Sequence, residues 1–151
     1  MQTCRYFIEI NEAQAIIHQG DVEKASAPKP VCLSVDDLLT IRETEFRLGD
    51  LLDALIDYDE EWLQTFFDER GQYDTGIYLY RQLFGDTAPD TLRKNCDAVE
   101  LRIIAPDENI SRLPWMLLAH QGVFLATAGW SISLAIERAA VSSDSKNSAT
   151  Q

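Results

Sequence analysis

Cysteine is scarce and odd in number: Cys4, Cys32 and Cys96 are the three in 151 residues. No C-x-x-C spacing occurs, so the framework of a structural zinc site is missing. A sparse, odd set also argues against a disulfide scaffold and for a reducing compartment. Basic side chains are few. Thirteen Lys and Arg stand against 25 Asp and Glu, a net charge of −12. Nucleic-acid affinity rests on Lys and Arg neutralising phosphates, so this balance excludes general binding of that kind. Anionic membrane surfaces are disfavoured for the same reason. No apolar run approaches the roughly 18 residues of a membrane span. Residues 1–10 carry Arg5 and Glu9 rather than the apolar run of a signal peptide. The expectation is a cytoplasmic protein with no nucleic-acid partner and no membrane partner.

Catalytic raw material is equally thin. His18 and His120 are the only histidines, and neither stands in a spacing that pairs it with a cysteine nucleophile. The seven glycines are scattered singly, so no phosphate-binding loop is present. Gly129-Trp130-Ser131-Ile132-Ser133 begins like a G-x-S-x-G elbow but lacks the final glycine and a following helix. Asp57, Asp59, Glu60 and Glu61 lack the alternation and central glycine of an EF-hand loop. No catalytic, metal-binding or cofactor-binding residue is assigned, and no cofactor is expected.

What the chain does have is globular composition and one strong asymmetry. Hydrophobic residues make up 46% and charged residues 25%, which suits a folded chain with the mass of one domain. Between Asp36 and Asp74 stand thirteen Asp and Glu against three Arg, so this segment holds ten of the twelve net charges. Such a run is ordinarily a solvated helical face. Its sharper reading is a docking surface for a basic partner.

Periodicity divides the chain into four stretches. Residues 1–35 read as short strands, with Cys4–Ile10, Ala13–His18 and Val31–Leu33 as candidates and Ala25–Pro30 as a loop. Residues 36–85 read as an acidic helical region. Ser34 is a candidate cap with Asp36 and Asp37 in the first turn, and Leu48, Leu51, Leu52, Leu55 and Ile56 form an apolar stripe. Trp62, Leu63, Phe66 and Phe67 repeat it, Gly71 is read as a stop, and Asp74 as the cap of a third helix ending at Gly85. In 86–139 the period changes to two. Val99–Ala105, Val123–Thr127 and Ser131–Arg138 read as strands around a Pro114-Trp115 turn. Residues 140–151 read as a polar, disordered tail. The fold class is therefore α+β.

One ordered run is distinctive. Gly76-Ile-Tyr-Leu-Tyr-Arg-Gln-Leu-Phe-Gly85 is followed by Val99-Glu-Leu-Arg-Ile-Ile104 and Pro106-Asp107-Glu108. Leu113-Pro114-Trp115-Met116-Leu117-Leu118, Gly122-Val123-Phe124-Leu125 and Ser131-Ile132-Ser133-Leu134 complete it. The series resembles the opening of the CHAT domain, a caspase-like module of bacteria and archaea often joined to TPR repeats. It covers about residues 74–138 and departs from the family at Met116, where glutamate is usual. The resemblance implies a cysteine peptidase whose His and Cys lie downstream. None of Cys4, Cys32, Cys96, His18 or His120 matches that pair.

The reading is the non-catalytic N-terminal portion of a CHAT-type caspase-like protein, truncated before its catalytic core and inactive alone. It would pack against or regulate a peptidase core outside this chain. The resemblance implies a setting in prokaryotic defence or stress. Trp62, Phe66, Phe67, Trp115 and Trp130 are the candidate partner-binding residues, and a strand edge within 99–138 is a candidate for strand addition. The alternative is a stand-alone acidic adaptor or inhibitor that binds a basic partner through residues 36–74.

Overall fold

Alternating apolar residues begin the chain, and they form strands. The computed structural model describes residues 2–11, 13–20 and 24–135. β1 (Thr3–Ile10) turns through Asn11, whose side-chain oxygen accepts the backbone N–H groups of Ala13 and Gln14, into antiparallel β2 (Gln14–Gln19). Two short strands, β3 (Lys24–Ala25) and β4 (Lys29–Pro30), also pair with β2.

The next segment departs from expectation. Residues 36–47 form no helix but a hairpin of β5 (Leu38–Ile41) and β6 (Thr44–Arg47). Ser34 and Asp37 bond to each other's neighbourhood as a turn: the Asp37 carboxylate accepts the Ser34 N–H, and the Ser34 hydroxyl oxygen accepts that of Asp36. Leu39 and Ile41 are buried while Leu38 and Thr40 are exposed, the period of a strand. The tip residues Arg42 and Glu43 have φ of 50° and 69°. Non-glycine residues there cost roughly 1–2 kcal/mol each. The compensation comes from the third helix: Asp74 accepts the Arg42 N–H at 2.8 Å, Asp68 pairs with the Arg42 guanidinium, and Arg70 pairs with Glu43.

α1 (Leu48–Ile56) buries Leu48, Leu51 and Leu52 of the expected stripe, while Leu55 is half-buried and Ile56 is exposed. α2 (Glu60–Phe66) is capped by Asp59, which accepts the Trp62 N–H. α3 (Glu69–Phe84) begins at Asp68, which accepts the Gly71 N–H, and ends at Gly85 with φ of 58°. Gly71 is thus inside a helix rather than after one, and Asp74 serves the hairpin rather than capping. A methyl at Gly71 would overlap the Phe66 carbonyl oxygen, and one at Gly76 would overlap that of Leu117. Glycine lets two backbones approach at each point.

α4 (Pro89–Arg93) leads to β7 (Ala98–Ile104). α5 (Glu108–Ser111), capped by Asp107, precedes a 3₁₀ turn at Trp115–Leu117. β8 (Ala119–His120) and β9 (Val123–Phe124) make a small hairpin, and a second 3₁₀ turn at Leu125–Thr127 leads to β10 (Trp130–Ala135). The expected strand over 123–127 is therefore mostly a turn. The expected strand at 31–33 is chain without regular secondary structure, whose Val31 and Leu33 are buried. The assigned tail, 140–151, and residues 136–138 of the last expected strand lie outside the described residues.

The main sheet has the order β10-β7-β1-β2-β3, with β4 on β2. β1 and β10 both run parallel to β7. The 1–35 and 86–139 stretches, separate in the sequence reading, therefore share one mixed sheet. Tyr6, Ile8 and Ile10, with Val99, Leu101 and Ile103, supply its apolar face. Leu79, Tyr80 and Leu83 of α3 belong to the same buried cluster. The class is mixed α+β.

Two consequences are testable. Gly76→Ala gains about 1 kcal/mol in helix propensity, but overlap with a neighbouring backbone costs about 2–3 kcal/mol or more. The clash wins, so the variant melts lower; an unchanged or higher melting temperature would contradict this packing. Burial pushes the phenols of Tyr78 and Tyr80 far above their ordinary range, and Asp37 adds to the effect at Tyr78. A raised pKa means the folded state holds the proton longer. This contribution is complete below pH of about 10 and is lost as pH rises beyond it. Ultraviolet absorbance titration of wild type against Tyr78→Phe and Tyr80→Phe should assign these two phenols to the alkaline phase that accompanies unfolding; a loss of absorbance change near pH of about 10 in the folded variants would refute their burial.

Candidate functional site

The five candidate contact residues separate into two groups. Trp115 is 1% exposed and Trp130 is 4% exposed. The Trp115 indole N–H donates to the Ile110 carbonyl at 2.8 Å, which satisfies its one polar atom. Trp130 meets Phe84 edge-to-face, ring centroids 6.2 Å apart. Both rings are buried and hold layers of the fold together. A ring beside the φ-fixed Pro114 is an efficient plug, and the next residue, Met116, is 55% exposed.

Trp62, Phe66 and Phe67 behave differently. All three are half-buried at the edge of the core. Trp62 and Phe66 join Phe46 of β6, a residue the sequence reading did not select. Centroid distances are 5.1 Å for Phe46–Trp62, 4.9 Å for Phe46–Phe66 and 5.5 Å for Trp62–Phe66. Phe46 was hidden because its stretch read as helix, which places it off the aromatic stripe.

Beside this cluster lies an open groove of about 320 Å³, lined by Phe46, Trp62, Asp50, Asp53, Asp57 and Asp59. The acidic segment thus contains an aromatic floor with a carboxylate rim. Asp50 accepts the Arg47 N–H at 3.0 Å and Asp59 caps α2. Asp53 and Asp57 are exposed and make no side-chain hydrogen bond or ion pair among the described residues.

The second surface is the strand edge. Among the described residues β10 pairs only with β7 and ends the sheet. Its sequence, Trp-Ser-Ile-Ser-Leu-Ala, has no charge and no proline. Ser131 and Ser133 are exposed and Leu134 is 48% exposed. Natural edges are usually blunted by charge, proline or a bulge, and this one has neither charge nor proline. Next to it, the outer face of the sheet is polar. Arg5 pairs with Glu100 at 2.7 Å, His18 lies 2.9 Å from Glu9, and the Arg102 guanidinium lies over the Phe7 ring.

The cysteines and histidines are placed apart. Cys4 and Cys96 form a disulfide with their Cα atoms 5.8 Å apart, which corrects the expectation of three reduced thiols. The reason is tertiary: β1 pairs in parallel with β7 at Cys4↔Val99, and this brings Cys96 alongside. Cys32 remains free and exposed, its N–H bonded to the Gln82 side chain. His18 sits on the outer sheet face, and His120 packs on Tyr80 with centroids 5.0 Å apart. No group of three or more His, Cys, Asp and Glu among the described residues is placed to hold a metal. No helix among them is long and apolar enough to cross a membrane.

A thiol assay checks this arrangement. The native, unreduced chain should titrate one thiol, Cys32, and the reduced, denatured chain three; three in the native chain would remove the Cys4–Cys96 bond.

No protein-family model, curated protein or solved structure matches this chain.

Proposed function

We propose that this chain is a protein-interaction module: the non-catalytic N-terminal portion of a CHAT-type caspase-like protein, which docks on a peptidase core outside this chain. The observation that carries this reading is the edge strand β10. It closes the run of motifs that resembles the CHAT opening, and it ends a sheet whose three strands β1, β7 and β10 run parallel. Parallel sheets usually have both faces covered by neighbouring elements. An uncharged, proline-free edge, unpaired among the described residues, offers its backbone N–H and C=O groups to a further strand, and strand addition draws its affinity from those bonds. The exposed Leu134 adds an apolar contact beside them.

In this reading the peptidase His and Cys belong to the core, and the chain alone is inactive. The setting would be prokaryotic defence or stress, in the cytoplasm. A Cys4–Cys96 bond in that compartment would belong with the transient or redox-sensing disulfides found there.

The test has two arms. The purified chain should not hydrolyse short fluorogenic peptides; hydrolysis lost on replacing Cys32 by Ser would overturn the reading. A CHAT-type core supplied as a separate chain should bind it, and Leu134→Lys should weaken that binding about tenfold by placing a charge on the docking edge. Leu134 is exposed, so the variant should fold; equal binding by wild type and variant sinks the proposal.

A further inference from the structure

We propose that the groove formed by β6, α1 and α2 receives an arginine-bearing segment of a basic protein partner, a contact separate from the β10 edge. Three observations support it. The floor is aromatic: Phe46 and Trp62 line a groove of about 320 Å³, and indole is the strongest ring partner for a cation. The rim is acidic, with Asp50, Asp53, Asp57 and Asp59 along it. And the fold itself leaves two of these charges uncompensated.

That third point separates this rim from an ordinary solvated face. Asp59 is explained by α2, whose N-terminus favours a negative cap, and Asp50 lies in the first turn of α1 for the same reason. Asp53 and Asp57 stand at the other end of α1, where the helix dipole is negative, and no basic residue occupies that last turn. They are four residues apart on one helical face, a like-charge spacing that opposes helix formation. Neither carboxylate has a partner among the described residues. Their placement is unfavourable for the isolated chain and favourable once a cation lies between them.

The geometry selects arginine. A guanidinium is planar, stacks on an aromatic face and forks to two carboxylates at once, whereas an ammonium is a strongly hydrated point charge. A metal ion fits less well. Calcium takes 6–8 oxygen ligands, and here two uncommitted carboxylates share the groove with rings that offer none. The segment from Asp36 to Asp74, with ten net negative charges, would also steer a basic partner toward the groove.

The experiment uses the full chain and a fluorescein-labelled peptide of alternating Arg and Gly, with a citrulline-for-arginine peptide as the uncharged match. Fluorescence anisotropy should report binding of the arginine peptide alone, weakening steeply between about 50 and about 300 mM salt. Asp53→Asn with Asp57→Asn should weaken binding about tenfold, and Trp62→Ala about fivefold. Because those carboxylates oppose the α1 dipole, the double Asn variant should melt no lower than wild type, which separates lost binding from lost folding. Absence of arginine-peptide binding, equal binding of the citrulline peptide, or full affinity in the Asn variant would each overturn the proposal. So would a calcium-dependent rise in melting temperature without peptide binding. Leu134→Lys should leave this affinity unchanged, so failure here and failure at the β10 edge are read independently.

Discussion

The parallel pairing of β1 with β7 is the constraint on which the rest depends. It joins Thr3–Glu9 to Ala98–Ile104, residues about two-thirds of the chain apart. Everything from β2 to α4 is the connection between those two strands. Closing a loop of that size costs about 4 kcal/mol in chain entropy. The return comes from the row Tyr6, Ile8, Ile10 facing the same side as Val99, Leu101 and Ile103, all of them buried. The Cys4–Cys96 bond lies at the start of this pairing and closes the same loop, 92 residues in sequence separation. A crosslink of that span removes about 4–5 kcal/mol of freedom from the unfolded chain. The bond and the strand pair therefore act on one degree of freedom, the meeting of the chain's beginning with its middle.

This dependence explains which parts were legible in the sequence. Local periodicity revealed β1, β7, the α1 stripe and the Gly85 stop, since each follows from side chains within one element. The hairpin Leu38–Arg47 was illegible for a physical reason. Its turn is Arg42-Glu43 rather than the usual Asn-Gly, and the left-handed backbone is held by Asp68, Arg70 and Asp74 from another element. Asp74 read as a cap because capping and cross-element acceptance use the same carboxylate chemistry. Gly71 read as a stop because nothing local reveals a close approach to Phe66. Cys4 and Cys96 could be paired only through the β1–β7 register, which no spacing encodes.

The candidate contact residues divide along the same line. Aromatic side chains are drawn both to cores and to interfaces, so composition could not sort Trp115 and Trp130 from Trp62. Burial sorts them. Trp115 sits behind Pro114 with its N–H satisfied, while Trp62 stands where α1 and α2 diverge at Tyr58, a residue 73% exposed with φ of 50°. Asp57 and Asp59 flank that residue, and both line the groove beside Trp62.

A strand edge unpaired among the described residues and a large net charge are connected features. β10 carries no lysine, proline or other charge to prevent copies of the chain from pairing edge to edge, a hazard that natural sheets normally block locally. The −12 net charge supplies a global substitute, because every approach of two copies is opposed by long-range repulsion. Repulsion of that kind acts on any acidic molecule but not on a neutral or basic one. A local charge on β10 would have blocked every partner alike. Concentrating the acid in residues 36–74 instead leaves the six residues of β10 without charge while still opposing self-association. Under the proposed strand addition, the placement of charge away from β10 would bias that edge toward partners that are not acidic.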